Sequence, residues 1–187
     1  MSERESIAGG KAKLAKAGFM RRVSLPAGVP GALWLGPMPG RLRPLVDDLA
    51  DMNARQVGRI ICLTPLDEIS VKSPDYAARQ TDLGIPVTVF PIGDFGVPDD
   101  GGGLKALAEQ AAHDLEVGKV LFVHCAAGIG RTGMVATCIL VALGLGGAAA
   151  MAAIAAAGSG PETDLQRQLV ARYAEDAVHP GTSQRDG

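Results

Sequence analysis

Short apolar runs alternate with longer amphipathic segments over most of the chain. Four runs are rich in Val, Ile, Leu or Phe and end at turn residues, which predicts β-strands over 32–36, 58–63, 86–92 and 119–124. Between them, apolar residues recur at helical spacing and predict helices over 44–55, 73–83 and 103–117. Because strands alternate with helices, we predict a single α/β domain with a central, mostly parallel sheet flanked by helices.

One stretch of the chain is long enough to cross a membrane, because no residue from Thr132 to Gly160 is charged. Three glycines interrupt this stretch, much of it is alanine rather than leucine or isoleucine, and no aromatic belt flanks it. We therefore predict two buried helices here and not a membrane span. Residues 163–177 predict a further helix with a polar face.

The length of 187 residues suits one domain with a substantial core. The N-terminal segment lacks the apolar core of a secretory signal, and its two early glutamates argue against an organelle presequence. We expect residues 1–25 to form a frayed or loosely docked arm, residues 26–178 to form the domain, and residues 179–187 to form a disordered tail.

Composition excludes several classes of protein. The 18 Lys and Arg residues against 20 Asp and Glu residues give a net charge of −2, so no global field attracts nucleic acid or acidic lipid. The three cysteines, Cys62, Cys125 and Cys138, have unrelated spacings that match neither a disulfide framework nor a zinc site. We expect a cytoplasmic monomer that uses no metal or other cofactor and binds no nucleic acid.

The stretch VHCAAGIGRTG, residues 123–133, places Cys125 between the last predicted strand and a predicted helix. Ligands bind at the carboxyl ends of strands in α/β sheets, and a helix N-terminus offers unpaired N–H groups and a partial positive charge. The residues after the cysteine contribute little side chain, so their backbone N–H groups can surround a tetrahedral dianion. These predicted phosphate-binding residues are Ala126, Ala127, Gly128, Ile129 and Gly130.

Arg131 closes this anion site with a planar guanidinium that matches two oxygens of a phosphate. Its charge and the helix N-terminus favour the thiolate of Cys125, which we predict to be a nucleophile. His124 is predicted to support the surrounding carbonyls and the thiolate rather than to act as a base. The hydroxyl of Thr132 is predicted to donate to the sulfur when it is expelled. No Walker lysine follows, which disfavours a nucleotide-binding loop.

At these residues the chain resembles the protein tyrosine phosphatase superfamily, whose signature is His-Cys, five residues and Arg-Ser/Thr. The resemblance is strongest to small dual-specificity phosphatases of the kinase-associated, cyclin-dependent kinase inhibitor type, and it covers about residues 30–177. The segments LWLGPMPGR, GRIICLTPLDE and PIGDFGVPDD look like that type's first strand and turn, its second strand and its acid loop. The resemblance implies metal-free hydrolysis of phosphomonoesters through a phosphocysteine intermediate.

That chemistry requires a general acid, because an alkoxide or phenoxide leaves phosphorus slowly unless it is protonated. Asp94 lies 31 residues before Cys125 and stands where the family's acid loop carries its aspartate, so we predict Asp94 as the acid and then as the base. Asp99 is the alternative, and Asp100 lies in the same segment. Gln166 falls near a glutamine common in small relatives, although a plain polar helix face explains it equally well.

The neutral loop disfavours multiply phosphorylated inositols as substrates. The sequence indicates a phosphatase for phosphorylated protein or peptide, at Tyr and/or Ser/Thr; the alternatives are a phosphatase for a small-molecule or lipid phosphate monoester and a catalytically weak phospho-binding module. Cys62 lies near the end of its strand and is a candidate redox partner that forms a disulfide with Cys125. The alternative for Cys62, and the expectation for Cys138, is a buried core residue.

Overall fold

The computed structural model describes residues 19–178, so the predicted tail and residues 1–18 of the predicted arm lie outside the described residues. Within this range the chain forms five strands and seven helices. In chain order they are β1 (Arg21–Arg22), β2 (Ala32–Gly36), α1 (Leu45–Ala54), β3 (Arg59–Cys62), α2 (Leu66–Lys72), α3 (Pro74–Arg79), β4 (Val87–Val89), α4 (Gly101–Glu116), β5 (Val120–His124), α5 (Gly130–Ala142), α6 (Gly147–Ala156) and α7 (Asp164–Val178).

The strands form one sheet in the order β1-β2-β5-β3-β4. Strands β2, β5, β3 and β4 are parallel to one another, whereas β1 is antiparallel to β2. This arrangement confirms the predicted α/β fold with a mostly parallel sheet. His124 at the end of β5 is in register with Gly36 at the end of β2 and with Cys62 at the end of β3. Three strand ends therefore meet at one edge of the sheet, directly before Cys125.

Both faces of the sheet are covered, which explains why its central strands are almost continuously apolar. In β5, Leu121 and Val123 pack with the core formed by α4 and α5. Phe122, which points to the opposite face, packs with Met52 of α1 and Ile69 of α2. The sheet is thus held between two helical layers, and the loop after β5 has a rigid base.

Helix α5 lies in the centre of the domain, and every residue from Gly130 to Val141 is buried. It confirms the first of the two buried helices predicted in the uncharged stretch. The prediction for the second helix was wrong, because α6 lies at the surface and buries only Ala150 and Ile154. Alanine has the highest helix propensity and tolerates an exposed face, so an uncharged composition did not require burial. Within residues 19–178, no helix has the length and apolar character to cross a membrane.

Two elements differ in extent from the prediction, and two, helix α2 and strand β1, were not predicted. The strand predicted over 86–92 is confined to Val87–Val89, and the helix predicted over 73–83 ends at Arg79. Helix α2 was missed because its seven residues are too few to show a clear period. Part of the predicted arm, residues 19–25, is described and contributes β1, with Met20 and Val23 buried against the sheet. The domain boundaries themselves stay predictions.

Candidate active site

Cys125 follows the last residue of β5, and α5 begins at Gly130. We call residues 125–130 the cysteine loop. The cysteine is only 2% exposed, and its Sγ accepts a hydrogen bond from the backbone N–H of Gly128 at 3.3 Å. The loop therefore curls around the sulfur, at the N-terminus of a buried helix whose dipole favours negative charge.

The carbonyls in the first half of the cysteine loop are bound from outside. The Cys125 carbonyl lies 3.3 Å from Nδ1 of His124. The Ala126 carbonyl accepts from the backbone N–H of Met38 at 3.2 Å and from Nη1 of Arg41 at 2.7 Å. Because the C=O and N–H of a trans peptide point in opposite directions, the N–H groups of Ala126 and Ala127 are directed away from these partners, toward the loop interior.

The second half of the loop is held in the same way. The hydroxyl of Ser159 lies 2.9 Å from the Ile129 carbonyl and 3.2 Å from the Gly128 carbonyl. The guanidinium of Arg21 also donates to the Gly128 carbonyl. The N–H groups of Ile129 and Gly130 are consequently directed inward as well. The result is a ring of backbone donors of the kind that binds a tetrahedral anion.

Two glycines near the ring are required by geometry. Gly128 has φ +73°, and a Cβ there would lie 2.2 Å from the carbonyl carbon and oxygen of Gly36. A Cβ on Gly133 would lie 2.2 Å from the backbone nitrogen of Gly160. Any larger residue at either position would force the loop or the start of α5 away from its neighbour.

Arg131 is 3% exposed, and both of its terminal nitrogens are bound. Its Nη1 donates to Glu68 Oε2 at 2.8 Å and to the Ile92 carbonyl at 2.9 Å, and its Nη2 donates to Glu68 Oε1 at 3.0 Å and to Asp94 Oδ1 at 2.9 Å. Burial by itself would lower the pKa of Arg131, but the hydrogen bonds to Glu68 and the electrostatic attraction of Cys125, Glu68 and Asp94 together raise that pKa. The guanidinium is therefore charged and fixed beside the cysteine loop.

Glu68 was missed by sequence reasoning because it lies on the unpredicted helix α2. Hydrogen bonding to Arg131 lowers the pKa of Glu68 to about 2, so its carboxylate is ionised at neutral pH. Lys72, one turn further along α2, lies 2.5 Å from Glu68 Oε1 and 3.8 Å from Asp94 Oδ2. The spacing of Glu68 and Lys72, four residues apart in the direction that favours a helical ion pair, is the one signal that could have indicated this helix.

A pocket of about 200 Å³ brings some of the predicted site residues together, whereas its lining does not include His124, Gly128, Ile129, Gly130 or Thr132. Its lining includes Cys125, Arg131 and Asp94, and also Lys72 and Gln166. The side chain of Asp94 is about half exposed, so it borders the pocket and still reaches solvent.

The other two aspartates of the segment do not line this pocket. Asp100 is the N-cap of α4, where its side chain accepts a hydrogen bond from the N–H of Gly103 at 2.9 Å. Asp99 is exposed. Among the three carboxylates, only Asp94 contacts Arg131.

His124 is completely buried. Burial lowers its pKa to about 4, so the imidazole is neutral at physiological pH. A proton on Nδ1 can donate to the Cys125 carbonyl, which leaves Nε2 to accept from the hydroxyl of Tyr76 at 2.9 Å. Both nitrogens are thus used in supporting the loop, in keeping with a neutral, supporting role.

Thr132 is buried on the first turn of α5, and its hydroxyl has no hydrogen-bond partner within the described part of the chain. The predicted hydrogen bond from Thr132 to the sulfur of Cys125 is therefore not formed here.

Gln166, on α7, is also buried; its Nε2 donates to the Gly96 carbonyl at 2.9 Å, and its Oε1 accepts from the N–H of Glu162 at 2.9 Å. Gln166 thereby joins α7 to the segment that carries Asp94.

The remaining cysteines lie away from the pocket lining. Cys62 is fully buried in the core beside Tyr76, and its Sγ accepts from Nε2 of Gln80 at 3.6 Å. Burial raises the pKa of Cys62 to about 11 and that of Cys138, inside α5, to about 12. Both are therefore protonated thiols in a folded chain at neutral pH.

Over residues 19–178, no group of three or more His, Cys, Asp or Glu could hold a metal ion.

A buried cysteine at a helix N-terminus, ringed by inward N–H groups and an arginine, defines a cysteine-dependent phosphatase site on an α/β fold. Residues 29–180 match the family model described as Swiss Army Knife protein, DSP-PTPase phosphatase domain. Because the match covers most of the chain, the protein belongs to this family of dual-specificity-type phosphatase domains. No curated protein sequence matches the chain.

Solved structures have the same fold. A kinase-associated phosphatase whose catalytic cysteine is replaced by serine is 20% identical, with a TM-score of 0.73 over 86% of this chain and 96% of that one. Tk-PTP in its active form is 23% identical, with a TM-score of 0.63 over 79% and 94%. The human tyrosine phosphatase-like serine/threonine/tyrosine-interacting protein is 21% identical, with a TM-score of 0.64 over 85% and 97%. The expected resemblance to the kinase-associated type is thus present in the fold.

Proposed function

We propose that the protein hydrolyses phosphate monoesters on phosphorylated protein, at Tyr and/or Ser/Thr, through a phosphocysteine intermediate on Cys125. The observation that carries the proposal is the convergence of Cys125, Arg131 and Asp94 on one pocket above the N-terminus of α5. A nucleophile, a fixed cation with inward N–H groups, and a carboxyl group are the three parts that the reaction needs.

In the first step, the thiolate of Cys125 attacks phosphorus, so an S–P bond forms as the P–O bond to the substrate breaks. The inward N–H groups of the cysteine loop and the guanidinium of Arg131 stabilise the three non-bridging oxygens. Asp94, as the neutral acid, gives its proton to the leaving oxygen. Arg131 exchanges its contact with Asp94 for phosphate oxygens, while Glu68 keeps the guanidinium in place.

In the second step, water attacks the phosphocysteine, and the carboxylate of Asp94 accepts a proton from that water. The S–P bond breaks, inorganic phosphate forms, and the thiolate of Cys125 is regenerated. The buried hydroxyl of Thr132 needs a partner, and the expelled sulfur at the start of the same helix provides one. His124 stays neutral and keeps the Cys125 carbonyl turned out of the site.

The pocket supports a substrate with one phosphate group. No lysine lies within the cysteine loop, and the lining cations Arg41 and Lys72 already bind the Ala126 carbonyl and Glu68, respectively. A multiply phosphorylated headgroup would need further free cations at this site. A phosphorylated side chain on a peptide presents a single dianion, which matches the ring of donors around Cys125.

The experiment is a comparison of initial rates on four substrates: a phosphotyrosine peptide, a phosphothreonine peptide, a vesicle-bound lipid phosphate monoester and p-nitrophenyl phosphate, each with and without EDTA. We expect kcat/KM to be at least about tenfold higher for one of the peptides than for the lipid, and EDTA to have no effect. A preference for the lipid would assign the activity to lipid phosphate. Phosphate binding without turnover of any substrate would make the protein a binding module.

A further inference from the structure

Arg21 contacts the cysteine loop although it lies more than a hundred residues earlier in the chain. It lies in β1, the antiparallel edge strand, and its Nη1 donates to the Gly158 carbonyl at 3.0 Å while its Nη2 donates to the Gly128 carbonyl. One side chain thus ties the edge strand to the cysteine loop and to the segment after α6. The cysteine-loop motif contains no sign of this contact, because the two residues are 107 positions apart.

The Gly128 carbonyl has two side-chain donors from outside the cysteine loop, Arg21 and Ser159. Ser159 is its second partner, but the same hydroxyl also lies 2.9 Å from the Ile129 carbonyl, which is closer than the 3.2 Å to Gly128. A hydroxyl has one proton and cannot fully satisfy two acceptors at once. Arg21 is therefore the side-chain donor to the Gly128 carbonyl that is not shared with the Ile129 carbonyl, and it holds the Gly128 carbonyl turned outward.

The orientation of that carbonyl decides what the loop can bind. The peptide that joins Gly128 to Ile129 carries the Gly128 carbonyl on one side and the Ile129 N–H on the other. If the peptide turned over, the carbonyl oxygen would point at the bound anion and the Ile129 N–H would be lost as a donor. Gly128, with φ +73° and no side chain, offers little resistance of its own to such a rotation.

The charge of Arg21 also favours an anion at this position. Burial lowers the pKa of Arg21, and its electrostatic interaction with Cys125 opposes that effect. The Nε of Arg21 is buried without a hydrogen-bond partner among residues 19–178, so the side chain is not bound as favourably as an arginine can be. Because a buried Nε without a partner lowers stability, the position of Arg21 is better explained by its hydrogen bond to the cysteine loop than by a contribution to the stability of the fold.

We propose that Arg21 is a positioning residue for phosphate binding: it fixes the Gly128 carbonyl outside the cysteine loop so that the Ile129 N–H is available to a bound phosphate. The kinetic consequence rests on the proposed phosphatase function. The binding consequence does not, because inorganic phosphate reports on the loop whether or not the protein turns over an ester.

The test compares Arg21→Met, Arg21→Lys and Arg22→Met in the full chain. Arg22 is the matched control, since it is the next residue of the same strand and its guanidinium carbon lies 6.0 Å from the ring of Trp34. The readouts are the Kd of inorganic phosphate by titration calorimetry, kcat/KM on p-nitrophenyl phosphate, and Tm.

We expect Arg21→Met to weaken phosphate binding and to lower kcat/KM by about tenfold each, which is the usual effect of losing one hydrogen bond to a charged group. Arg21→Lys should recover part of both, because an ammonium keeps the charge and can donate to the Gly128 carbonyl but lacks the rigid planar fork that spans Gly128 and Gly158. The Tm should change little, because the substitution also removes the unpaired Nε. Arg22→Met should match the wild type in phosphate binding and rate.

A double variant separates positioning from a general loss of structure. Ser159→Ala and Arg21→Met remove both side-chain donors to the Gly128 carbonyl, so their combined effect on the phosphate Kd should exceed the product of the single effects. Wild-type phosphate affinity in Arg21→Met, or an affinity loss that Arg22→Met shares, would overturn the proposal. If no ester is hydrolysed but phosphate binding still depends on Arg21, the proposed function fails and the role of Arg21 stands.

Discussion

Glu68 and Arg131 form a two-point ion pair, with Nη1–Oε2 at 2.8 Å and Nη2–Oε1 at 3.0 Å, across 63 positions of the chain. The parallel pairing of a planar guanidinium with a carboxylate fixes both the position and the plane of Arg131. The arginine that we propose to bind phosphate is thus held in a fixed orientation by helix α2, which borders the candidate site although it contributes nothing to the cysteine motif.

Replacing Glu68 by Gln should lower both activity and stability. The amide offers one acceptor oxygen and turns its NH2 group toward a donor of Arg131, so we expect kcat/KM on p-nitrophenyl phosphate to fall by about tenfold or more and the free energy of unfolding to fall by about 1–3 kcal/mol. Asp67→Asn is the control, because Asp67 is exposed on the same turn of α2. Equal kcat/KM values for the two variants would show that Glu68 does not contribute to the reaction.

The same ion pair predicts how stability changes with pH. The pKa of Glu68 in the folded protein is about 2, below its usual value of 4.5, so its ionised form stabilises the fold above pH 4.5. This stabilisation should be lost as the pH falls from about 4.5 toward 2. Denaturant unfolding followed across this range should show a weaker pH dependence for Glu68→Gln than for the wild type; identical curves would contradict the assignment.

Replacing Cys125 by Ser should abolish turnover and leave inorganic phosphate binding largely intact. The anion site consists of backbone N–H groups and Arg131, and the serine hydroxyl is not ionised at neutral pH. Cys138→Ala, in the buried interior of α5, should keep its activity at temperatures where it is folded. More than a few per cent of wild-type kcat in the serine variant would exclude a phosphocysteine.

Replacing Asp94 by Asn should reduce hydrolysis in proportion to how much the leaving group needs a proton. We expect a loss of about 10²–10⁴-fold on phosphothreonine peptide and a much smaller loss on an activated aryl phosphate. Asp100→Asn should leave the ratio between the two substrates unchanged, and Asp100→Ala should lower stability by about 1 kcal/mol, because Asp100 caps α4. A leaving-group-dependent effect at Asp99 and none at Asp94 would transfer the assignment.

The redox prediction for Cys62 places a disulfide between two cysteines at adjacent strand ends. Cys62 is in register with His124, the residue before Cys125, but its thiol is buried beside Tyr76 on the layer that contains α1 to α3. Peroxide followed by dithiothreitol should restore wild-type activity more fully than that of Cys62→Ser if the pair forms. Equal recovery would leave Cys62 as a core residue.

The sequence by itself determined the features that depend on neighbouring residues. The alternation of apolar runs and helical periods predicted the α/β class and most of the elements, because the periodicity of a strand or helix depends only on residues close together in the chain. The cysteine loop could be placed at a strand end and a helix start for the same reason. The lining of the pocket by Asp94 agrees with its expected position, although its catalytic role stays a prediction.

Only the tertiary structure decided which distant groups complete the site. Glu68, Arg21 and Ser159 contact Arg131 or the loop carbonyls across 30 to 107 positions, and no local pattern marks a partner at such distances. The same limit explains why the exposure of α6 was not predicted: which side of an alanine helix faces solvent depends on what packs against it. Local sequence fixes backbone preference, whereas the partner of a buried polar group depends on where the chain brings other donors and acceptors.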